Sequence, residues 1–305
     1  MALTPTDWLL AGYLAVLTIV IAARGPLADG HPWLLLSHGL FGALLLAVRR
    51  LSADRGVGRA LHAFYPLILL AGLYSAIGVL NDGRGVDAIL TRDAVVQRWE
   101  AAIFGGQPAY DWIRRAPSVF WSGVLHLAYL SYYPLILLPG PLLAARGRWD
   151  GARRVVFATM LAFVACYVVF VLFPVAGPNY AFPHPTGPVR EVWSARIVYD
   201  LLEGGSSVGA AFPSSHIAAT LTATIATWRA WPALGRVMLL PFLLLCVAVV
   251  YCQMHYAVDA LSGLVVGVAV SVIAPRLWAG RRADGQTGRR ADGPTDRPTD
   301  RRSLK

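Results

Sequence analysis

Long apolar runs separated by short basic loops are the feature of this sequence that most restricts its fold. Segments that cross about 30 Å of hydrocarbon form helices or closed barrels, because their backbone groups need partners there. A single helix needs roughly 20 apolar residues to span that distance. Candidate runs lie at 8–23, 33–48, 60–80, 118–145, 154–173, 212–231, 235–253 and 256–278. We expect an all-α polytopic transmembrane helical bundle of about eight spans, with a six-helix catalytic core and additional interfacial helices.

The composition agrees with a membrane protein. Hydrophobic residues make up 56% of the chain and charged residues 14%, whereas soluble proteins carry about 25% charged residues. The net charge of +10 comes from arginines that mostly lie in short loops between apolar runs. This placement indicates membrane topology rather than a nucleic-acid partner. The three cysteines lie inside apolar runs, a pattern that predicts neither a disulfide framework nor a zinc site.

The chain divides into four regions. Residues 1–80 are predicted to form N-terminal transmembrane helices, and 118–278 the catalytic transmembrane core. Segment 81–117 mixes charged and aromatic residues, which is typical of helices that lie in the membrane interface. Residues 279–305 repeat polar and basic sequence with almost no apolar residues, so we expect a disordered basic cytoplasmic tail.

The distribution of arginines predicts the orientation of the chain. Eight spans place loops 49–59, 146–154 and 232–235, together with the C-terminal tail, on one side. Arginines near these segments outnumber those on the opposite side, and the richer side is normally cytoplasmic. We expect both termini in the cytoplasm of a bacterium, with the chain in its inner membrane.

Polar residues beside the spans are candidates for function, because they are costly in a membrane. His216 opens one predicted span and His255 another, and the chain between them is long enough to cross the bilayer and return. The two histidines should therefore reach the same, extracytoplasmic face. Asp259 follows His255 by four residues, so on one helix it could accept a proton from the imidazole and leave the other nitrogen basic.

The Pro213-Ser214-Ser215 segment predicts a helix start at the same face. Proline is tolerated in a first turn, serine caps helices, and free amides at a helix start attract anions. A phosphate bound there would lie beside His216, which could protonate the departing oxygen. Separately, each of these features is common in structural roles, and it is their conjunction that indicates catalysis.

These residues resemble motifs of the type 2 phosphatidic acid phosphatase superfamily, and in particular its inositol phosphorylceramide and sphingomyelin synthase branch. Pro213-Ser214-Ser215-His216 matches the family's Pro-Ser-x-His motif, and the interval from His255 to Asp259 matches its His-x-x-x-Asp motif. The resemblance covers about 154–275. It implies that His255 attacks phosphorus to form a phosphohistidine, Asp259 orients His255 and His216 protonates the leaving group, with no metal or other cofactor.

The sequence departs from the superfamily pattern at its cationic positions. The usual Lys-x6-Arg-Pro motif is missing, since the sequence contains no lysine before Lys305. Ala248 and Val249 occupy the places of the usual Ser-Arg pair. These departures favour the synthase branch over a simple phosphatase. The residues we expect to bind substrate or phosphate are Ser214, Ser215, Asn179, Tyr180, Arg190, Arg196 and Tyr256.

The predicted function is an integral-membrane lipid phosphotransferase that moves a phosphoryl group or phospho-headgroup from a membrane lipid to an alcohol. With water as the acceptor, the same residues would make a phosphatase of polyprenyl or glycerolipid phosphates. A non-catalytic lipid-binding or transport protein is an alternative from another class, although the spans show no convincing internal repeat. A serine hydrolase using Ser214 or Ser215 is disfavoured, because the Gly-x-Ser-x-Gly elbow is missing. The sequence does not define the oligomeric state.

Overall fold

The computed structural model describes residues 3–24, 31–53, 55–82, 86–205 and 207–291. Throughout these residues the regular elements are helices, together with one isolated parallel β-bridge between Val175 and Ala210. This confirms the predicted all-α fold.

Three long helices form the N-terminal part of the bundle. They are α1 (Pro5–Arg24), α2 (His31–Arg50) and α3 (Gly56–Asp82). Tyr65 on α3 donates a hydrogen bond of 2.5 Å to Asp7 on α1, and Arg49 on α2 lies 3.9 Å from the same carboxylate. Asp7 is therefore a polar link among the three apolar helices.

Two shorter helices occupy the segment predicted to lie in the interface. They are α4 (Val86–Phe104) and α5 (Pro108–Arg115), and neither is apolar enough over a sufficient length to count as a span. Helix α4 nevertheless has a buried polar face, because Asp93 is 1% and Glu100 0% exposed. The sequence did not lead us to expect buried carboxylates in an interfacial helix.

The predicted run 118–145 is broken into three helices. They are α6 (Val119–Leu130), α7 (Tyr132–Leu137) and α8 (Pro139–Ala145). The axis bends by 43° between Val119–Leu137 and Pro139–Ala145. Proline explains the position of the bend, because Pro139 has no N–H to continue the preceding helix and restricts the residue before it.

The last seven described helices lie between Trp149 and Ala291. After α9 (Trp149–Leu172) come three shorter helices and then three that complete the bundle. These six are α10 (Pro178–Ala181), α11 (Pro188–Glu191), α12 (Trp193–Gly205), α13 (Ser215–Ala230), α14 (Pro232–Tyr251) and α15 (Ala257–Ala291). Helix α13 packs against α9, α14 and α15.

Six described helices are long and apolar enough to cross a membrane, namely α1, α2, α3, α9, α14 and α15. The bent segment formed by α6, α7 and α8 would make a seventh span if it is counted as one. The predicted run 212–231 corresponds to α13, which is only 16 residues long. The expected count of eight is therefore higher than length and apolarity support. Helix α13 begins after its N-cap residue Ser214 and ends before Trp231, next to the proline that starts α14, so it covers only part of the predicted run.

The C-terminal region differs in part from expectation. Helix α15 continues to Ala291, into the segment predicted to be disordered. The rest of the predicted tail, 292–305, lies outside the described residues.

Helices α13 and α15 approach closely where α15 carries glycine. A Cβ atom at Gly263 would lie 2.5 Å from the carbonyl oxygen of Ser214, and one at Gly267 would lie 2.9 Å from Leu221. A side chain at Gly263 would push the two helix starts apart. The glycine is thus required by packing.

We predict that Gly263→Ala lowers the free energy of unfolding by about 1–3 kcal/mol, because overpacking forces backbone shifts. Gly39→Ala on α2 is the matched control, since a Cβ there meets nothing within 4 Å. It should leave stability unchanged or slightly raised. Thermal unfolding of both variants in detergent measures the difference, and equal midpoints would contradict the close approach.

Candidate functional site

The structure brings His216 and His255 together. His216 is the second residue of α13, and His255 lies two residues before α15. His216 Nδ1 and His255 Nε2 are 3.1 Å apart, and the ring centroids are 5.2 Å apart. The two histidines thus meet at one end of the bundle, as the expected return of the chain across the bilayer requires.

Hydrogen bonds define the tautomer of His255. Its Nδ1 lies 2.9 Å from the carbonyl oxygen of Ala211. A carbonyl can only accept, so Nδ1 carries a proton and the Nε2 of neutral His255 has a free lone pair. That lone pair points at His216. His255 is therefore arranged as a nucleophile or a base at Nε2.

Tyrosines surround the ring of His216. The hydroxyl of Tyr129 lies 3.1 Å from His216 Nε2, and the ring of Tyr132 lies 4.3 Å from the imidazole, centroid to centroid. A phenolic hydroxyl can donate or accept, so Tyr129 can pair with His216 in either protonation state. This flexibility suits a histidine that gives up and regains a proton.

Asp259 lies beside His255, with 3.5 Å between its Oδ2 and His255 Nδ1. We expected both residues on one helix, but α15 begins only at Ala257. Asp259 Oδ2 instead accepts the backbone N–H of Tyr256 at 2.9 Å, as an acidic residue in the first turn commonly does. The Ala211 carbonyl is the nearer partner of His255 Nδ1, so Asp259 and Ala211 orient the ring together.

A small cavity of about 40 Å³ adjoins both histidines. Asn179 and Tyr180, which we predicted to bind phosphate, line it together with Ser207. Asn179 Oδ1 is buried and has no hydrogen-bond partner among the described residues. Arginine and lysine are missing among the described residues that line this cavity.

A larger groove of about 380 Å³ leads away from His216. It lies among α3, α6, α7, α9 and α12, and its walls are mainly aliphatic and aromatic. Its aromatic side chains are Tyr74, Tyr129, Tyr132, Tyr133 and Tyr167. The groove has the dimensions and surface of a site for an apolar chain.

The serines predicted to bind phosphate lie at the start of α13. Ser214 caps the helix, because its Oγ accepts the N–H of Ile217 at 3.4 Å, and Ser215 lines the groove. Tyr256 is fully buried, and its hydroxyl bonds to Asp93 at 3.0 Å. The Tyr256 side chain therefore contacts the site through Asp93 and does not line either cavity.

The two arginines predicted to hold phosphate lie outside both cavities. The Arg190 guanidinium stacks 3.9 Å above the ring of Tyr199 on α12. Arg196 is exposed on the same helix. The structure thus brings His216, His255, Asp259 and Asn179 together but places these arginines elsewhere.

Two acidic residues that our reading of the sequence missed hold the site from α4. Glu100 accepts the N–H groups of Ala257 and Val258 at 3.1 and 3.0 Å. With Asp259, it satisfies the free amides at the start of α15. Burial raises the pKa of Glu100, while these N–H groups act in the opposite direction.

Asp93 organises the loop that follows α9. Its two carboxylate oxygens accept the N–H groups of Ala176 and Gly177, each at 2.8 Å, and one also accepts the Tyr256 hydroxyl. Asp93, Gln97 and Glu100 follow one another at helical spacing on α4. That spacing is a signal in the sequence, but it is equally typical of a solvent-exposed face.

Gln253 and Arg114 were also missed by sequence reasoning. Gln253 is fully buried at a positive φ of 61° and donates to the carbonyl groups of Pro178 and Pro183. Arg114 donates to Gln253 Oε1 at 2.7 Å. Together they hold the turn before His255 against the loop that carries Asn179, and no sequence pattern predicted this contact.

Comparison with known proteins gives one match. The family model of the PAP2 superfamily matches residues 96–273, which is more than half of the chain and includes both histidines and Asp259. No curated protein and no solved structure matches the chain significantly.

We predict that Asp93→Asn lowers the free energy of unfolding by about 1–3 kcal/mol, because an amide cannot accept every N–H and O–H donated to this carboxylate. Turnover should fall as well, since the Asn179 loop loses its anchor. Asp87→Asn, on the exposed face of the same helix, is the control and should behave like wild type. Thermal unfolding and an activity assay test both effects; unchanged behaviour of Asp93→Asn would exclude a positioning role.

Proposed function

Because the chain belongs to the PAP2 superfamily, we propose that it is a lipid phosphotransferase of the synthase-like branch, acting through a phosphohistidine. Membership makes it a phosphatase- or phosphotransferase-type enzyme of phosphoesters, and its apolar helices make it an integral membrane protein. The observation that carries the finer proposal is the 3.1 Å contact between His216 Nδ1 and His255 Nε2. It supports a nucleophile and an acid that face the same reacting group.

In the first step, a donor phosphate displaces the contact between the two rings. His255 Nε2 attacks phosphorus, the P–N bond forms, and the bond from phosphorus to the leaving oxygen breaks. His216, protonated on both nitrogens, gives its Nδ1 proton to that oxygen. The Tyr129 oxygen, 3.1 Å away, accepts from the Nε2–H of His216 both before and after this transfer.

In the second step, an acceptor alcohol attacks the phosphohistidine. His216 is now neutral and has a free lone pair at Nδ1. It removes the alcohol proton as the new P–O bond forms and the P–N bond breaks. The enzyme returns to its starting protonation state. Water in place of the alcohol would give hydrolysis by the same steps.

Charge balance in the cavity favours transfer of a phosphodiester. A phosphomonoester carries up to two negative charges, and burying them without a cation is costly. Apart from His216, which is protonated in the first step, the described cavity residues offer neutral donors such as Asn179 and Tyr180, and arginine and lysine are missing among them. We propose that these residues and the free amides at the start of α13 hold a donor with a single charge, such as a lipid phospho-headgroup.

The tyrosine-lined groove supports a lipid donor. It shares His216 and Tyr129 with the small cavity, so a phosphate at the histidines would continue into the groove as an apolar chain. Burial of such a chain contributes roughly 0.8 kcal/mol per methylene group. The groove therefore supplies binding free energy away from the reacting atoms.

The proposal predicts that turnover is lost or slowed when either histidine is replaced. His255→Ala should abolish turnover, and His216→Ala should slow it by about 10²–10⁴-fold, as expected for loss of an acid–base group. His62→Ala, remote from the histidine pair, is the control and should remain active.

Assays of the purified protein with phosphodiester and phosphomonoester lipids, each with and without an added alcohol, test the reaction by mass spectrometry. We expect headgroup transfer to the alcohol. Release of inorganic phosphate from monoesters alone would instead identify a phosphatase. Wild-type turnover by His255→Ala would overturn the mechanism.

We also propose that the histidine pair faces the extracytoplasmic side of a bacterial inner membrane, with both termini in the cytoplasm. The arginines of the loops near Arg148 and Arg229 lie at the end of α13 opposite His216, which supports this orientation.

Cysteines introduced at Thr186 and Gly147, at opposite ends of the bundle, test the orientation. A membrane-impermeant maleimide should label Thr186→Cys in intact cells and Gly147→Cys only after permeabilisation. The parent protein is the background control, because its three cysteines are buried or partly buried. The reverse labelling pattern would invert the topology.

A further inference from the structure

A third cavity lies at the opposite end of the bundle from the histidine pair. Its volume is about 650 Å³, and it is bounded by the start of α9, the end of α13 and the middle of α15. Arg229 lines it, and His216 lies at the other end of the same helix. The two sites are therefore roughly 20 Å apart at 1.5 Å per helical residue.

The mouth of this cavity is strongly basic. Four arginines line it, and Asp150 is the single acidic residue among its described lining residues. The four are Arg59, Arg148, Arg154 and Arg229. Arg154 pairs with Asp150 at 2.7 Å, whereas Arg148 and Arg229 donate to the carbonyl groups of Ala230 and Ser271 at 2.9 and 2.8 Å. The mouth keeps an excess of positive charge that an anion would neutralise.

The start of α9 adds a second attraction for an anion at the same place. Arg148 is the N-cap residue and makes no side-chain capping bond, and 147–151 line the cavity. The first-turn amides of this 24-residue helix carry the partial positive charge of its dipole. Guanidinium groups and the first turn of a helix together form a phosphate-binding arrangement.

The interior of the cavity is apolar. Phe157, Ala158, Ala226 and Ala274 line it, with Phe157 about two turns from the start of α9 and Ala226 about one turn from the end of α13. A free phosphate ion would leave these walls unfilled. A phosphate group attached to a hydrocarbon chain would match both halves of the cavity.

We propose that this cavity binds one anionic phospholipid from the leaflet on the arginine-rich side, with its phosphate at Arg148 and Arg229 and an acyl chain along Phe157 and Ala226. The bound lipid stabilises the junction of α9, α13 and α15. Because Arg229 and His216 lie at opposite ends of α13, this site is distinct from the one at the histidine pair.

Thermal unfolding and native mass spectrometry of the full chain in neutral detergent test the proposal. The probes are dioleoyl phosphatidylglycerol, dioleoyl phosphatidylcholine and inorganic phosphate. We expect one phosphatidylglycerol to remain bound and to raise the melting temperature. Phosphatidylcholine and inorganic phosphate should have little effect.

Two kinds of variant separate charge from shape. Arg148→Gln with Arg229→Gln should weaken phosphatidylglycerol binding at least tenfold. Ala226→Leu should also weaken it by filling the apolar part without changing charge. Arg236→Gln is the control, because Arg236 is exposed on α14 and does not line the cavity.

Three outcomes would overturn the proposal. Equal stabilisation by phosphatidylcholine would show a cavity without headgroup recognition. Equal stabilisation by inorganic phosphate would show an ion site rather than a lipid site. Equal binding by the double arginine variant and by Arg236→Gln would show that the arginines attract lipid only through net charge.

Discussion

The contact between the starts of α13 and α15 is the interaction on which the rest of the site depends. The N–H of Ser214 donates to the carbonyl oxygen of Asp259 at 3.0 Å, and Gly263 lets the two backbones approach. This contact places His216 against His255 across 39 residues of sequence. A shift of one ångström between these helix starts would open the hydrogen bond between the imidazoles, because such bonds weaken quickly with distance.

Buried polar groups hold that contact in an otherwise apolar bundle. Each unpaired amide at a buried helix start would cost about 1–3 kcal/mol. At the start of α15, Asp259 and Glu100 accept three of these amides, and Asp93 accepts two more from the loop after α9. The same residues therefore satisfy the backbone and hold the segments next to the histidine pair. Helix α4, which is not apolar enough to count as a span, is in this way a structural part of the site.

The two ends of α13 differ in chemistry. The end with His216 has neutral donors and aromatic walls, and it suits a reaction in which charge is rearranged between two imidazoles. The end with Arg229 has excess positive charge and lies beside the start of α9, where the N-cap residue Arg148 makes no side-chain capping bond. A single short helix thus links the histidine pair to a basic cavity, and both adjoin largely apolar space in which we propose that lipid chains bind.

Apolar runs in the sequence were sufficient to predict a helical membrane protein, since long hydrophobic helices must satisfy their own backbone in lipid. Spacing also predicted that His216 and His255 meet, because one crossing and return leaves few alternatives. Periodicity could not show that Asp93 and Glu100 face inward, since a polar helix face has the same pattern against water and against free amides. The shortness of α13, the bend before Pro139 and the carbonyl of Ala211 as partner of His255 were likewise decided by tertiary structure. Each depends on which backbone groups remain unpaired after packing. The order of residue types along the sequence does not show which groups these are.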